Sequence, residues 1–200
     1  MAKWNRQQLL WFAFAACIAI GSLEPALALL GPEGLNPRDP RIRESAFLVV
    51  ILWPIAAFYL VAIRANPVRF SPAGTIIRVV YSTGCALCLL HIAIAFHLGH
   101  SWSHRAAFNH TDEVGGYGWG VFVNYAFALL WVVDAIWMWV SLNEYLQRPA
   151  WANWLILGLM GFVIVNAAVV FGHGWQRWVA LGFLATPGIS LLLRRYFSVE

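Results

Sequence analysis

Apolar residues in this chain come in six long runs, near 9–30, 46–63, 76–98, 119–142, 151–171 and 178–193, divided by short polar or Pro- and Gly-rich joints. A helix that crosses the hydrocarbon core of a bilayer takes about 20 consecutive, mostly apolar residues. The runs are too long and too evenly apolar for barrel strands, which alternate over about ten residues. The pattern therefore predicts an all-α, polytopic membrane bundle of six spanning helices. The joints agree with it. GPEGLNPRDP follows the first run and ANPVRFSPAG the second, and both are rich in helix breakers. LQRPA joins the fourth run to the fifth and GHGWQR the fifth to the sixth; links that short make antiparallel neighbours. No long polar linker interrupts the sequence, so 1–200 reads as a single transmembrane domain. The basic start MAKWNRQQ before an apolar run resembles a signal peptide. The run continues to about spanning length without a clear small-residue cleavage motif, so we read it as a retained first helix.

Composition strengthens this reading. The chain is 61% hydrophobic and 11% charged, where a soluble domain carries about 25% charged residues. Its 12 tryptophans suit the two membrane–water interfaces, where Trp is enriched. The net charge of +4 is spread over the joints with no basic run to track a phosphate backbone, so no nucleic acid is expected. The expected partner is the lipid bilayer of a cell inner or plasma membrane, with other membrane proteins or a second copy as further candidates. Lys and Arg set the orientation. With the N-terminus inside, five of the 13 (Arg38, Arg41, Arg43, Arg105 and Arg177) fall outside and the other eight inside. The bias predicts N-in, C-in, with the arginines of the first outer joint working against it.

That topology gathers the histidines. Five of the six lie in HIAIAFHLGHSWSHRAAFNH, at 91–110, and His173 ends the fifth run on the same, outer side. If the third helix persists through Gly99, His97, His100 and His104 stand at i, i+3 and i+7, within about 60° on one stripe. His100 and His104 form H-x3-H, a spacing that brings two imidazoles on successive turns to one metal. His110, Asp112 and Glu113 follow and can complete a shell for iron, copper or zinc. The H-x3-H pair resembles one element of the histidine boxes of membrane di-iron hydroxylases and desaturases. That resemblance covers only His100 to His104, and the chain has no adjacent His pair, so no activity follows from it. The zincin motif H-E-x-x-H is absent, since Ser101 follows His100. In CALCLLH the histidine stands three residues after Cys88, which excludes a c-type haem attachment site. Cys17, Cys85 and Cys88 all lie in apolar runs and read as small apolar residues.

Polar residues inside the runs are the second signal, because an ionisable group in hydrocarbon faces the bundle interior. Glu24, near the outer end of the first run, is a candidate ligand or an orienting partner for an imidazole. Asp134, near the middle of the fourth, is a candidate proton-handling group or, equally, a member of a structural pair that holds the bundle together. Asn124, Tyr125, Asn166 and His91 extend the set toward a polar pocket that opens outward. Three functions follow as expectations. The first is a His-rich metal site at the outer face, which in an enzyme would serve a metal-dependent oxidoreductase or hydrolase. The second is a b-type haem held by His91 or His97 with His173. The third is a transporter or a small subunit of a larger membrane complex.

Overall fold

The computed structural model describes residues 18, 20–24, 26–65, 73–171, 174, 177–179, 181, 182 and 185, with backbone alone at 62–65, 73–76, 170 and 171. Six α-helices have both ends within them: α1 (Pro40–Ala65), α2 (Ala73–Ile94), α3 (His104–Gly115), α4 (Gly120–Val140), α5 (Leu142–Gln147) and α6 (Ala150–Asn166). No strand occurs among the described residues. A π turn, Ala95–Gly99, prolongs α2, and another, Ala167–Phe171, prolongs α6. Four helices are long and apolar enough to cross a membrane: Pro40–Val61, Ile77–Gly99, Gly120–Val140 and Ala150–Val169. The chain is a helical membrane protein, and these four answer to the second through fifth apolar runs. Of the first run the described part is a short apolar helix, Ile20–Leu30. Residues 9–17, with Cys17, and most of 178–193 lie outside the described residues.

Two boundaries differ from the sequence reading. The helix expected from 46 begins at Pro40, because Asp39 and Pro40 start it together. The Asp39 carboxylate accepts the Arg41 backbone N–H at 3.0 Å, and its other oxygen takes the Arg41 guanidinium at 2.8 Å. Proline at the first helical position has no N–H to leave unpaired. The stretch after the third run, expected as a loop, folds as the amphipathic helix α3. Ser103 caps it, its Oγ accepting the Ala106 N–H at 3.2 Å, and Gly116 closes it with φ 69°.

The core lies between α1, α2, α4 and α6, around Trp53, Leu60, Tyr81, Trp131, Met138 and Met160. Close approach of α2 to α4 depends on Gly84, where a Cβ would stand 2.9 Å from Trp131 Cζ2. Leu129, Val133, Ile136 and Val140 are exposed along one face of α4. An apolar face turned outward is what a lipid solvent demands, since nothing there penalises it.

Candidate functional site

The histidine end is built where α2 stops. The helix does carry through Gly99, as a π turn, and ends at His100 with φ −136°. Ser101 (φ 44°) and Trp102 (φ 59°) then take left-handed conformations, which cost side-chain-bearing residues about 1–3 kcal/mol each. The segment 31–36 holds this turn. The Gly34 carbonyl accepts the Ser101 N–H at 3.1 Å and its hydroxyl at 3.0 Å, and Gly34 N–H donates to His97 O at 2.9 Å. A Cβ at residue 34 would stand 2.6 Å from Leu98 O, so only glycine permits this approach. Because α3 starts afresh after the turn, the expected stripe of His97, His100 and His104 does not form.

Three of the five histidines join one segment to another. His91 Nδ1 lies 3.0 Å from Ser45 Oγ, whose own proton goes to Ile42 O at 2.8 Å. His91 therefore donates, tying α2 to α1. His97 Nε2 donates to Gly31 O at 3.0 Å and Nδ1 accepts the Trp102 indole N–H at 3.3 Å, so both ring nitrogens are used by the fold. His104, at the start of α3, pairs its Nδ1 with Tyr125 Oη of α4 at 3.0 Å.

His100 and His110 are the two that remain. Their ring centroids are 5.6 Å apart with planes at 47°. His100 is 8% exposed, and its Nδ1 is buried without a hydrogen-bond partner. A buried polar atom left unpaired costs about 1–3 kcal/mol, so it calls for an explanation. Burial, and next the neighbouring His110, lower the His100 pKa. Burial lowers that of His110 as well, with Glu113 opposing and Arg38 reinforcing the shift. Both rings are therefore neutral near pH 7, with lone pairs available.

The other expected ligands are placed elsewhere. Asp112 is exposed and its Oδ1 accepts the Gly118 N–H at 2.8 Å, closing the turn after α3. Glu113 is exposed, as are Glu24, Asn124 and Asn166, and no hydrogen bond joins Glu24 to a described imidazole. The outward polar pocket is thus not assembled from these residues. His173 lies outside the described residues. Among the described residues no three His, Cys, Asp or Glu side chains are placed to hold a metal ion.

A second constellation lies at the far end of α4. Asp134 shares the buried face of that helix with Trp131 and Met138, and sits six residues before its end rather than at mid-span. Its Oδ2 accepts the Tyr81 hydroxyl at 2.7 Å and the Tyr145 hydroxyl at 2.8 Å; its Oδ1 accepts from Arg148. The Arg148 guanidinium donates to Asn153 Oδ1 at 2.8 Å and lies over the Tyr145 ring, 4.2 Å from its centroid. Burial, and then the Asp134 carboxylate, push the Tyr145 phenol well up, which keeps it a donor. Pro149 explains how a joint residue reaches the core. It denies Arg148 the helical conformation, ends α5 and turns the chain into α6. Every strong group here has a partner, so the arrangement is that of a closed structural network.

Compared with protein-family models, with curated proteins and with solved structures, the chain matches none.

Sequence reasoning found Asp134 but missed Arg148, Tyr81, Tyr145 and Asn153. The available signal was a lone arginine before proline, in a joint too short to carry it far from an unpaired intramembrane carboxylate.

Proposed function

We propose that this chain is a multi-pass membrane protein with a transition-metal site at its extracytoplasmic face, built on His100 and His110. We read it with six spans and both termini inside a cell inner or plasma membrane. The observation that carries the metal is the buried, unpartnered Nδ1 of His100 beside the ring of His110. The spacing supports it. A metal–nitrogen bond of about 2.0–2.1 Å plus the ring radius sets each centroid about 3.2 Å from the ion, so two imidazoles on one ion have centroids about 5.2–6.4 Å apart. The observed 5.6 Å falls within that range. Two neutral imidazoles suit copper, zinc or iron. With only two protein ligands, the remaining positions are open to water or substrate, the condition for redox or hydrolytic chemistry. His97 has both nitrogens engaged in the fold, which favours this site over an axial haem.

The test is elemental analysis and metal titration of the purified full chain in detergent. One equivalent is expected, lost in His100→Ala and in His110→Ala and kept in His104→Ala. Metal retained in both of the first two variants, or no binding of copper, zinc or iron by the wild type, refutes the site.

A further inference from the structure

On the lipid-facing side of α2 and α4 runs an open groove of about 460 Å³. Small side chains make its floor: Ser82, Cys85 and Ala86 from α2 and Ala135 from α4, with Ile136 and Trp139 along one wall. One end of it is polar. The Trp139 indole N–H donates to Ser82 Oγ at 2.7 Å, and the Arg78 guanidinium lies over the Trp139 ring, 5.4 Å from its centroid. Arg78 Nε is buried with no hydrogen-bond partner, and no carboxylate pairs with this arginine among the described residues.

We propose that this groove binds an anionic phospholipid, with an acyl chain lying along it and the phosphate on Arg78. Depth, length and charge all agree. Arg78 is the second residue of the apolar span Ile77–Gly99, and Trp139 the second to last of Gly120–Val140. Both therefore stand at one interface, at headgroup level, where Trp and Arg belong. From Arg78 to Leu89, at the groove's far end, the helix rises about 16 Å, close to the half-thickness of a bilayer core of about 30 Å. A phosphate can meet the terminal nitrogens of this guanidinium, which no carboxylate pairs among the described residues, in two-point geometry. A zwitterionic lipid fits the groove as well but offers Arg78 a phosphate already shadowed by its own cation.

The experiment is native mass spectrometry of the full chain, exchanged in detergent against equal phosphatidylglycerol and phosphatidylcholine. The wild type is expected to retain phosphatidylglycerol about fivefold over phosphatidylcholine, the contribution of one cation near an anionic surface. Arg78→Gln abolishes that preference and Arg78→Lys keeps most of it. Ala86→Trp, which fills the groove, removes bound lipid of both kinds while leaving the helical circular dichroism unchanged. Equal preference in wild type and Arg78→Gln, or lipid retained by Ala86→Trp, overturns the proposal. So does a dimer in analytical ultracentrifugation that Ala86→Trp breaks, which would make a second copy the occupant.

Discussion

Cutting the Asp134–Arg148 pair from either side gives unequal costs, and the inequality can be worked out beforehand. Both side chains are at most 1% exposed. Removing one partner of such a pair costs about 3–5 kcal/mol, because the other is left charged and buried. Arg148→Met leaves the carboxylate with the Tyr81 and Tyr145 hydroxyls still donating to it. The loss should fall near the low end, about 3 kcal/mol. Asp134→Asn removes the carboxylate from a buried guanidinium that does not deprotonate, leaving it Asn153 and Tyr145 among its polar neighbours. The loss should be near the high end, about 5 kcal/mol. The double variant leaves no charge, so its cost should lie well below the sum, at about 1–2 kcal/mol. Reversible unfolding in mixed detergent–SDS micelles, followed by tryptophan fluorescence, measures all four corners of the cycle. Single variants that each cost under about 1 kcal/mol, or a double variant equal to the sum, would refute the account of a charge pair held by burial.

Four further outcomes follow from the same geometry. Metal affinity should be lost at a lower pH than for free imidazoles, since burial lowers the pKa values of both His100 and His110; titrations that already fail at neutral pH contradict this. Without metal, the folded chain resists protonating His100 while the unfolded chain does not, so stability should fall as pH drops below about 6.5. His100→Gln should flatten that slope in acid unfolding curves. His97→Ala removes the hydrogen bond that holds Gly31 onto the end of α2 and the one that ties in the Trp102 indole, at about 1 kcal/mol each; hydrogen exchange over 31–36 should rise while metal stoichiometry stays unchanged. Gly84→Ala drives a Cβ to 2.9 Å from Trp131 and should cost about 1–3 kcal/mol by overpacking, with unchanged stability as the contrary result.

What the sequence made legible was whatever depends on local pattern. Long apolar runs require helices in a bilayer, and four of them stand where hydropathy puts them, three within two residues and the one expected from 46 beginning six residues earlier. Asp134 was readable too, because a carboxylate in register with Trp131 and Met138 has to face inward. The histidine geometry was not readable, because it turns on contacts from far along the chain. The left-handed turn at Ser101 and Trp102 exists because Gly34, 67 residues from Ser101, accepts its hydroxyl. No helical periodicity within 91–110 carries that information. Arg148 was hidden for the opposite reason. Joint arginines are ordinarily solvated, and only the pairing with Asp134, 14 residues earlier, draws this one inside.

Whether the two ends of the bundle act on each other can be decided from α4, which contributes to both. Tyr125, which holds His104, and Asp134 are nine residues apart on it. That separation is about 13 Å along the axis and about half a turn around it. Between them the buried side of the helix carries Phe127, Ala128 and Trp131, and Trp131 Nε1 itself has no hydrogen-bond partner. No chain of polar groups therefore bridges the gap on this helix, and the packing there is apolar and tight. Sites so separated, with no shared partner, add within about 0.3–0.5 kcal/mol. His110→Ala combined with Arg148→Met should accordingly show the metal loss of the first and the stability loss of the second, each unaltered. A coupling above about 1 kcal/mol in either readout would mean that α4 has two arrangements and that the histidine end senses the charge network.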